Sequence, residues 1–309
     1  MLSARENGDI VDSGYLEEIQ VIVRKRVEAW LDTGADRADA IARSAGSCIQ
    51  QGLRDPVKVF GKNQAVPLRK NGLPRLICSV SLADQLVERI LFTPFCDAVH
   101  AEYPKCPVMI GIGFNDEHAK LVGDSFDFLK TLTLNVKSDV SGWEKGYSLH
   151  TALLSADVMA ACHEGLPEHI ESLSRAFRVW ATTLVSVPWI FPDGTIWCRE
   201  VLKIMTSGDF LTSYANSLGR LGVAHMVGSV ARSVGDDCCE GTNRRIQDLI
   251  DAYNALNVRV RDVDTIEPND FAFCSHRYFV DGDGVWRCHH ADPSRMLYEM
   301  ASKSAWDPA

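Results

Sequence analysis

Apolar residues near the N-terminus recur every three to four positions, as they do on one face of an α-helix. Between residues 15 and 31 they include Leu16, Val23, Val27 and Trp30. This spacing predicts an amphipathic helix. The same pattern predicts further helices near residues 81–92, 148–162, 168–186, 208–227 and 246–256.

A second pattern, the alternation of apolar and polar residues, predicts strands. It is clearest over residues 132–139, which we expect to form a half-buried strand that ends at Asp139. Tight turns predict hairpins around Asp193-Gly194, Gly235-Asp236-Asp237 and residues 281–284. Because helices and hairpins are mixed without regular strand-helix alternation, the predicted fold class is α+β.

Composition narrows the class of protein. The chain has 309 residues, of which 46% are hydrophobic and 24% charged, so a disordered or fibrous protein is excluded. No apolar stretch reaches the ~20 residues of a membrane-spanning helix, and the first twenty residues do not resemble a signal peptide. A soluble, intracellular protein is therefore expected.

Ten scattered cysteines are expected to be free thiols, because no secretory context is visible. Five residues near the C-terminus could in principle gather around zinc. Their spacing matches no familiar zinc module, so we do not expect zinc there. These residues are Cys274, His276, Cys288, His289 and His290.

Candidate chemistry centres on acidic residues at the ends of predicted strands. Asp139 ends one strand, and Asp236 and Asp237 occupy the turn of a hairpin. Clustered carboxylates need cations to neutralise them, and hard oxygen ligands favour Mg²⁺ or Mn²⁺. A Gly-Asp-Asp turn alone is a weak indication, since most such tripeptides are plain surface turns.

Other segments strengthen the indication. Glu144 follows Asp139 by five residues, and a Ser207-Gly208 step precedes a helix with Thr212 and Asn216 on one face. Residues 58–75 are basic although the formal net charge is −9, and basic groups suit a triphosphate. Residues 271–276 are predicted to form a strand with alternating aromatic side chains.

In order and spacing, these segments resemble motifs A to E in the palm of viral RNA-dependent RNA polymerases. The resemblance extends over roughly residues 57–280 and is most specific for the replicases of sobemoviruses and poleroviruses. It is carried by residues 75–92, Asp139-Val140-Ser141-Gly142-Trp143, Gly235-Asp236-Asp237-Cys238 and Phe273-Cys274-Ser275-His276.

The resemblance implies template-directed RNA synthesis and a role for each matching residue. Asp139 and Asp236 would hold two Mg²⁺ ions, for which Mn²⁺ is expected to substitute, and Asp237 would be a weaker metal ligand and a third catalytic residue. Cys274, Ser275 and His276 would support the primer strand and RNA. The nucleotide-binding residues implied are Lys62, Lys70, Arg75, Glu144, Ser207, Gly208, Thr212, Asn216 and Arg261.

Two departures from the family pattern affect these roles. Glu144 stands where the family usually has aspartate, and the extra methylene moves the carboxylate by about 1.5 Å. Residues 257–261 contain no lysine to serve as general acid toward pyrophosphate. Arg259 or Arg261 is expected to act there only through its charge, because arginine stays protonated.

The resemblance also implies a right-hand fold, with fingers and palm around an antiparallel sheet and a thumb that is reduced or missing. We expect N-terminal fingers over residues 1–130, with a basic nucleotide-entry segment at 57–78. The palm would span residues 131–290 with a fingers insertion near 163–203. Residues 291–309 would be a thumb stub.

Two alternatives stay open: a reverse transcriptase, and an inactive polymerase-like RNA-binding or scaffold subunit. Asn216 argues against the first, and the three intact aspartates argue against the second. The expected partners are template and nascent RNA, nucleoside triphosphates and other viral replication proteins, with no transmembrane segment in this chain. The expected location is the host cytoplasm, at membrane-associated replication complexes.

Overall fold

A computed structural model describes residues 5–6, 9–10, 13–33, 45–61, 76–198, 204–294, 296–297 and 301. The chain divides into two compact units. The first unit comprises Met1–Asp97 and Glu144–Ala215, and the second comprises Ala98–Trp143 and Asn216–Ala309. The division into fingers, palm and thumb stays a prediction.

The helices alternate irregularly with the strands along the chain. The described helices are α1 Ser13–Asp32, α2 Ala45–Gln50, α3 Leu82–Ala101, α4 Asp116–Ser125, α5 Trp143–Gly146, α6 Leu149–Ala161, α7 Pro167–Ser186, α8 Thr212–Met226 and α9 Ile246–Ala255, with a 3₁₀ helix at Asp127–Thr131. The described strands are β1 Arg5–Glu6, β2 Asp9–Ile10, β3 Val57–Gly61, β4 Leu76–Ser79, β5 Leu134–Val140, β6 Trp189–Ile190, β7 Ile196–Trp197, β8 Val230–Val234, β9 Asp237–Thr242, β10 Val260–Thr265, β11 Asp270–Phe273, β12 His276–Val280 and β13 Trp286–His290.

The first unit contains a four-stranded mixed sheet in the order β4-β3-β6-β7. Alternate residues of β3, Val57 and Val59, are buried together with Val187 and Trp189, as expected for strands with one apolar face. Helix α7 packs against α6 and α1. Ser81 caps the start of α3, since its hydroxyl accepts a hydrogen bond from the Asp84 N–H at 3.2 Å.

The second unit is built around an antiparallel sheet in the order β10-β5-β9-β8. The meander β11-β12-β13 forms a separate sheet. The meander contributes Phe271, Phe273 and Tyr278 to an apolar cluster that also contains Phe126 and Cys239 of β9. This packing fixes β9, which begins at Asp237.

The predicted α+β class and the predicted positions of the main helices and hairpins are confirmed. One element is wrong: residues 271–276 do not form a single strand. Strand β11 ends at Phe273, and Cys274 and Ser275 form a two-residue turn in which both have positive φ, as in a type I′ hairpin. No described helix has the length and apolar character needed to cross a membrane.

Candidate active site

The predicted metal-binding aspartates lie at the ends of neighbouring strands in the second unit. In the β5–β9 pair, Ser138 is opposite Cys238. Asp139 and Asp237, the next residues outward on the two strands, therefore lie at the same edge of the sheet. Asp236 precedes β9 in the turn and is exposed. The fold thus brings Asp139 to the same edge as Asp236 and Asp237, which lie about one hundred positions later in the sequence.

A tight turn presents Asp236. Val234 pairs with Asp237, so the turn consists of Gly235 and Asp236 alone. Gly235 has φ +63°, which glycine adopts without strain. The Gly235 N–H donates to the Ser217 hydroxyl at 2.9 Å, and the Ser233 hydroxyl donates to the Ser217 carbonyl at 3.1 Å. Helix α8 therefore holds the turn in place.

Two cationic side chains contact the aspartates. Arg261 forms an ion pair with Asp139, and Lys137 forms one with Asp237 at 3.4 Å. Lys137 lies two positions before Asp139 and therefore on the same face of β5. Both pairs are partly exposed to solvent. Asp139 and Asp237 thus each pair with a cationic side chain of the chain itself.

The opposite face of the sheet carries a fully buried polar network. Arg220 of α8 contacts Glu240 of β9 at 3.2 Å and the Tyr253 hydroxyl of α9 at 2.8 Å. Ser138 donates to Glu240 at 2.7 Å and accepts from Arg220. Since Ser138 immediately precedes Asp139, this network joins both helices to the two strands that carry the acids.

A buried hydrogen bond orients Asn216. The indole N–H of Trp143 donates to the Asn216 side-chain oxygen at 2.8 Å. The oxygen is therefore engaged, and the amide NH₂ group remains the part of Asn216 suited to donate to a ligand. Both residues are buried in the second unit.

The first unit contains the remaining described nucleotide-binding candidates. Glu144 lies in α5, and its carbonyl accepts from the Met205 N–H at 3.0 Å. Thr212 begins α8, and its hydroxyl donates to the Asp209 carbonyl at 2.8 Å. A Cβ added at Gly208 would overlap the Cys78 carbonyl oxygen. The Ser207-Gly208 step therefore requires glycine at its second position.

A buried charge cluster anchors this step. The carboxylate of Asp209 contacts Arg54 at 2.7 Å and accepts from the Trp180 indole at 3.2 Å. Glu88 contacts Arg54 at 3.2 Å and accepts from the Phe210 N–H at 2.9 Å. Burial, followed by the Asp209 charge, raises the pKa of Glu88 well above its usual value. Glu88 is therefore protonated more readily than an exposed glutamate, and the carboxylate of Asp209 pairs with Arg54.

This pKa shift predicts a specific pH dependence. A carboxyl group whose pKa is raised by folding stabilises the native state below its unfolded pKa, and this stabilisation is lost as pH rises through the folded pKa. In Glu88→Gln the loss is absent. Between the unfolded and the folded pKa of Glu88, we expect the unfolding free energy of wild type to fall relative to that of Glu88→Gln. The expected fall is about 1.4 kcal/mol per pH unit.

The measurement is urea unfolding of both proteins from pH 4 to pH 8. Glu18→Gln, at an exposed helical position, is the matched control and is expected to parallel wild type. A Glu88→Gln curve that also parallels wild type would contradict the assignment of a protonated Glu88.

The primer-binding candidates lie on the β11–β12 turn. The His276 ring stacks on Phe114 with centroids 4.0 Å apart, and its Nδ1 lies 2.9 Å from the Cys274 carbonyl. Burial, followed by the charge of Asp237, raises the pKa of the Cys274 thiol. Cys274 packs against the apolar cluster that contains Cys239 of β9, the strand that begins at Asp237. Lys62, Lys70 and Arg75 lie outside the described residues.

Comparisons with known proteins agree with this architecture. Residues 155–296 match the family model for viral RNA-directed RNA polymerase. Among solved structures, a Sicinivirus 3Dpol RNA-dependent RNA polymerase aligns over 93% of this chain and 58% of its own, with TM-score 0.63 and 14% identity. The polymerase of a human picorbirnavirus aligns over 87% and 59%, with TM-score 0.60 and 13% identity. The chain has the right-hand fold of the viral RNA-directed RNA polymerases.

Curated relatives confirm the resemblance to plant virus replicases. The chain is 30% identical to Replicase polyprotein P2AB of Southern bean mosaic virus over 98% of its length. It is 28% identical to Protein P1-P2 of Pea enation mosaic virus-1 over 89% of its length. The chain spans 31% and 23% of these two relatives, respectively.

Viral RNA-directed RNA polymerases use divalent metal ions, and the acidic edge fits such ions in chemistry. Asp139, Asp236 and Asp237 supply carboxylate oxygens, which Mg²⁺ and Mn²⁺ prefer. Lys137 and Arg261 already contact two of these groups, which shows that the edge attracts positive charge. Within the described part of the chain, no three potential ligands are gathered closely enough to hold an ion. Mg²⁺ in proteins is commonly held by one or two carboxylates together with water and substrate phosphates, so the acids of this edge suffice as its protein ligands.

Several contacts that shape the candidate site join residues without a motif of their own. Lys137 was detectable, because strand alternation places it on the same face as Asp139. The Trp143–Asn216 contact, the Arg220 network and the Arg54 cluster join residues distant in sequence. No local pattern marks such partners.

Proposed function

We propose that the chain is the polymerase portion of a viral replicase and copies an RNA template into RNA. The RNA 3′-oxygen attacks the α-phosphorus of a nucleoside triphosphate, the bond to the β-phosphate bridge breaks, and pyrophosphate leaves. The observation that supports this most is the common sheet edge of Asp139, Asp236 and Asp237. The similarity to viral polymerases supports the proposal further.

Asp139 and Asp236 would hold two Mg²⁺ ions, with Asp237 as an occasional ligand. The bound ions would neutralise charge on the reacting phosphate and activate the attacking hydroxyl. The protein contributes mostly by positioning, as in phosphoryl transfer generally. Arg261 would neutralise charge on the leaving pyrophosphate.

The remaining residues would bind substrate. Asn216, oriented by Trp143, would donate to the ribose 2′-hydroxyl, with Glu144 and Thr212 assisting. Ser207-Gly208 would adjust as the nucleotide enters, and Lys62, Lys70 and Arg75 would bind its triphosphate. Cys274, Ser275 and His276 would support the primer end. RNA and other replication proteins at cytoplasmic membranes would be the partners.

The direct test is incorporation of labelled nucleoside triphosphates on a primed RNA template with Mg²⁺ or Mn²⁺. We expect product that requires the template and disappears when the divalent ions are chelated. Product formed without template would indicate a terminal transferase. RNA binding without synthesis would favour the scaffold alternative.

The Trp143–Asn216 hydrogen bond predicts an effect on sugar selection. Trp143→Phe removes the indole donor and leaves the Asn216 amide free to rotate. A hydrogen bond of this kind is worth about 0.5–1.5 kcal/mol, so preference for NTP over dNTP is expected to fall about three- to tenfold. The measurement is the ratio of kcat/KM for the two substrates.

Trp197→Phe is the matched control, because Trp197 is exposed on β7, and it should leave the ratio unchanged. An unchanged ratio in Trp143→Phe would contradict the role of this hydrogen bond. A wild-type preference for dNTPs would favour the reverse transcriptase alternative.

A further inference from the structure

Arg261 occupies an irregular position on its strand. Strand β10 pairs with β5 through Val260 opposite Val140 and Asp262 opposite Asp139, with a register shift between the two pairs. Arg261 is therefore the extra residue of a β-bulge. Bulges re-aim side chains and are frequent beside active sites.

The bulge places Arg261 against a proposed metal ligand. The Arg261 guanidinium forms an ion pair with the Asp139 carboxylate, and a guanidinium stays protonated at any physiological pH. A metal ion requires the same carboxylate oxygens, so the guanidinium and the ion compete for Asp139.

The solvent exposure of this pair makes the competition reversible. The side chains of Arg261 and Asp139 are 55% and 37% exposed, and exposed ion pairs are worth up to about 1 kcal/mol because water and salt screen them. A divalent ion carries twice the charge and coordinates oxygen directly, so it can displace the guanidinium.

We propose that Arg261 is the resident counter-ion of Asp139 in the metal-free protein and that divalent ions bind Asp139 by displacing it. Arg261 thereby lowers the metal affinity of the site. This role extends the proposed polymerase function, on which it rests through the metal ligand Asp139. It is separate from any contact of Arg261 with pyrophosphate, because it acts before nucleotide binds.

The test is Mn²⁺ binding to the nucleotide-free protein, followed by electron paramagnetic resonance of the free ion. Arg261→Gln is expected to bind Mn²⁺ about three- to fivefold more tightly than wild type, which corresponds to the worth of an exposed ion pair. Arg259→Gln is the matched control. It removes the same charge two positions away, from an exposed side chain, and should bind as wild type does.

The increase in Mn²⁺ affinity in Arg261→Gln must depend on Asp139. When Asp139→Asn is already present, Arg261→Gln should produce no further change in affinity. Equal affinities of wild type, Arg261→Gln and Arg259→Gln would overturn the proposal, as would absence of binding in all three. An equal gain in both arginine variants would also overturn it, because general charge would then explain the effect.

RNA synthesis by the same preparations separates the two claims. If wild type copies its template but Arg261→Gln shows no gain in Mn²⁺ affinity, the counter-ion role is wrong and the polymerase function stands. Weaker Mn²⁺ binding by Arg261→Gln would likewise overturn the counter-ion role. It would indicate that Arg261 holds Asp139 in a binding position.

Discussion

Replacing Asp139 or Asp236 with asparagine is expected to lower the rate of RNA synthesis by about 10³-fold or more. Asparagine preserves the size of the side chain but removes the negative charge. A neutral amide holds a divalent ion poorly, and the charge that develops on the phosphate then lacks stabilisation. Asp237→Asn should have a smaller effect, because Asp237 is proposed as an occasional ligand.

The measurement is single-nucleotide incorporation under single-turnover conditions, with RNA binding measured in parallel. Asp127→Asn is the matched control, since Asp127 is exposed and paired with Lys130, and it should retain full activity. The asparagine variants of the three acids should still bind RNA. Wild-type rates in Asp139→Asn and Asp236→Asn would place the active site elsewhere.

Replacing Arg220 with methionine is expected to lower the free energy of unfolding by about 3–5 kcal/mol. The substitution leaves the Glu240 carboxylate fully buried without its cation, and burial of an uncompensated charge is costly. Burial raises the pKa of Tyr253, so its phenol stays neutral and cannot replace the lost charge balance. The measurement is urea unfolding at pH 7.

Two further variants show whether the buried charge is the cause. Arg245→Met breaks the exposed pair with Asp248 and should cost less than about 1 kcal/mol. Arg220→Met combined with Glu240→Leu should recover part of the loss, because no charge then remains buried. A cost no larger than that of Arg245→Met would contradict the account. If Arg220→Met does not fold, recovery of folding by the double variant supports it.

This network bears on the proposed activity because its member Ser138 immediately precedes Asp139. Ser138 and Cys238 face each other across β5 and β9, and Cys238 immediately follows Asp237. Burial raises the pKa of the Cys238 thiol to about 12, so no thiolate competes with Glu240 for Arg220. Helices α8 and α9 thus fix the strand ends by charged and neutral hydrogen bonds.

Local sequence patterns predicted most of the fold because each main element has a regular period. Helix α7 shows three- and four-residue spacing, and β5 shows alternation that ends near Asp139. The turn at Cys274-Ser275 was missed because both residues adopt positive φ without glycine. No glycine, proline, asparagine or aspartate follows Phe273 to mark the end of the strand.

The candidate site was predictable only in part. The resemblance identified the acids, and β5 and β9 bring Asp139 and Asp237 to one edge. The ion pair of Arg261 depends on a bulge in β10, which arises from tertiary pairing and has no local pattern. Buried partners such as Arg54 and Asp209 are 155 positions apart, so only the fold reveals them.

The central claim is that this chain copies an RNA template, so that the template base determines which nucleotide is added. The most direct measurement uses two primed RNA templates that differ at one templating position, uridine or cytidine, with all four labelled nucleoside triphosphates supplied separately. We expect AMP to be added opposite uridine and GMP opposite cytidine, in each case only with a divalent ion. Addition of the same nucleotide on both templates, or of any nucleotide without template, would contradict the account.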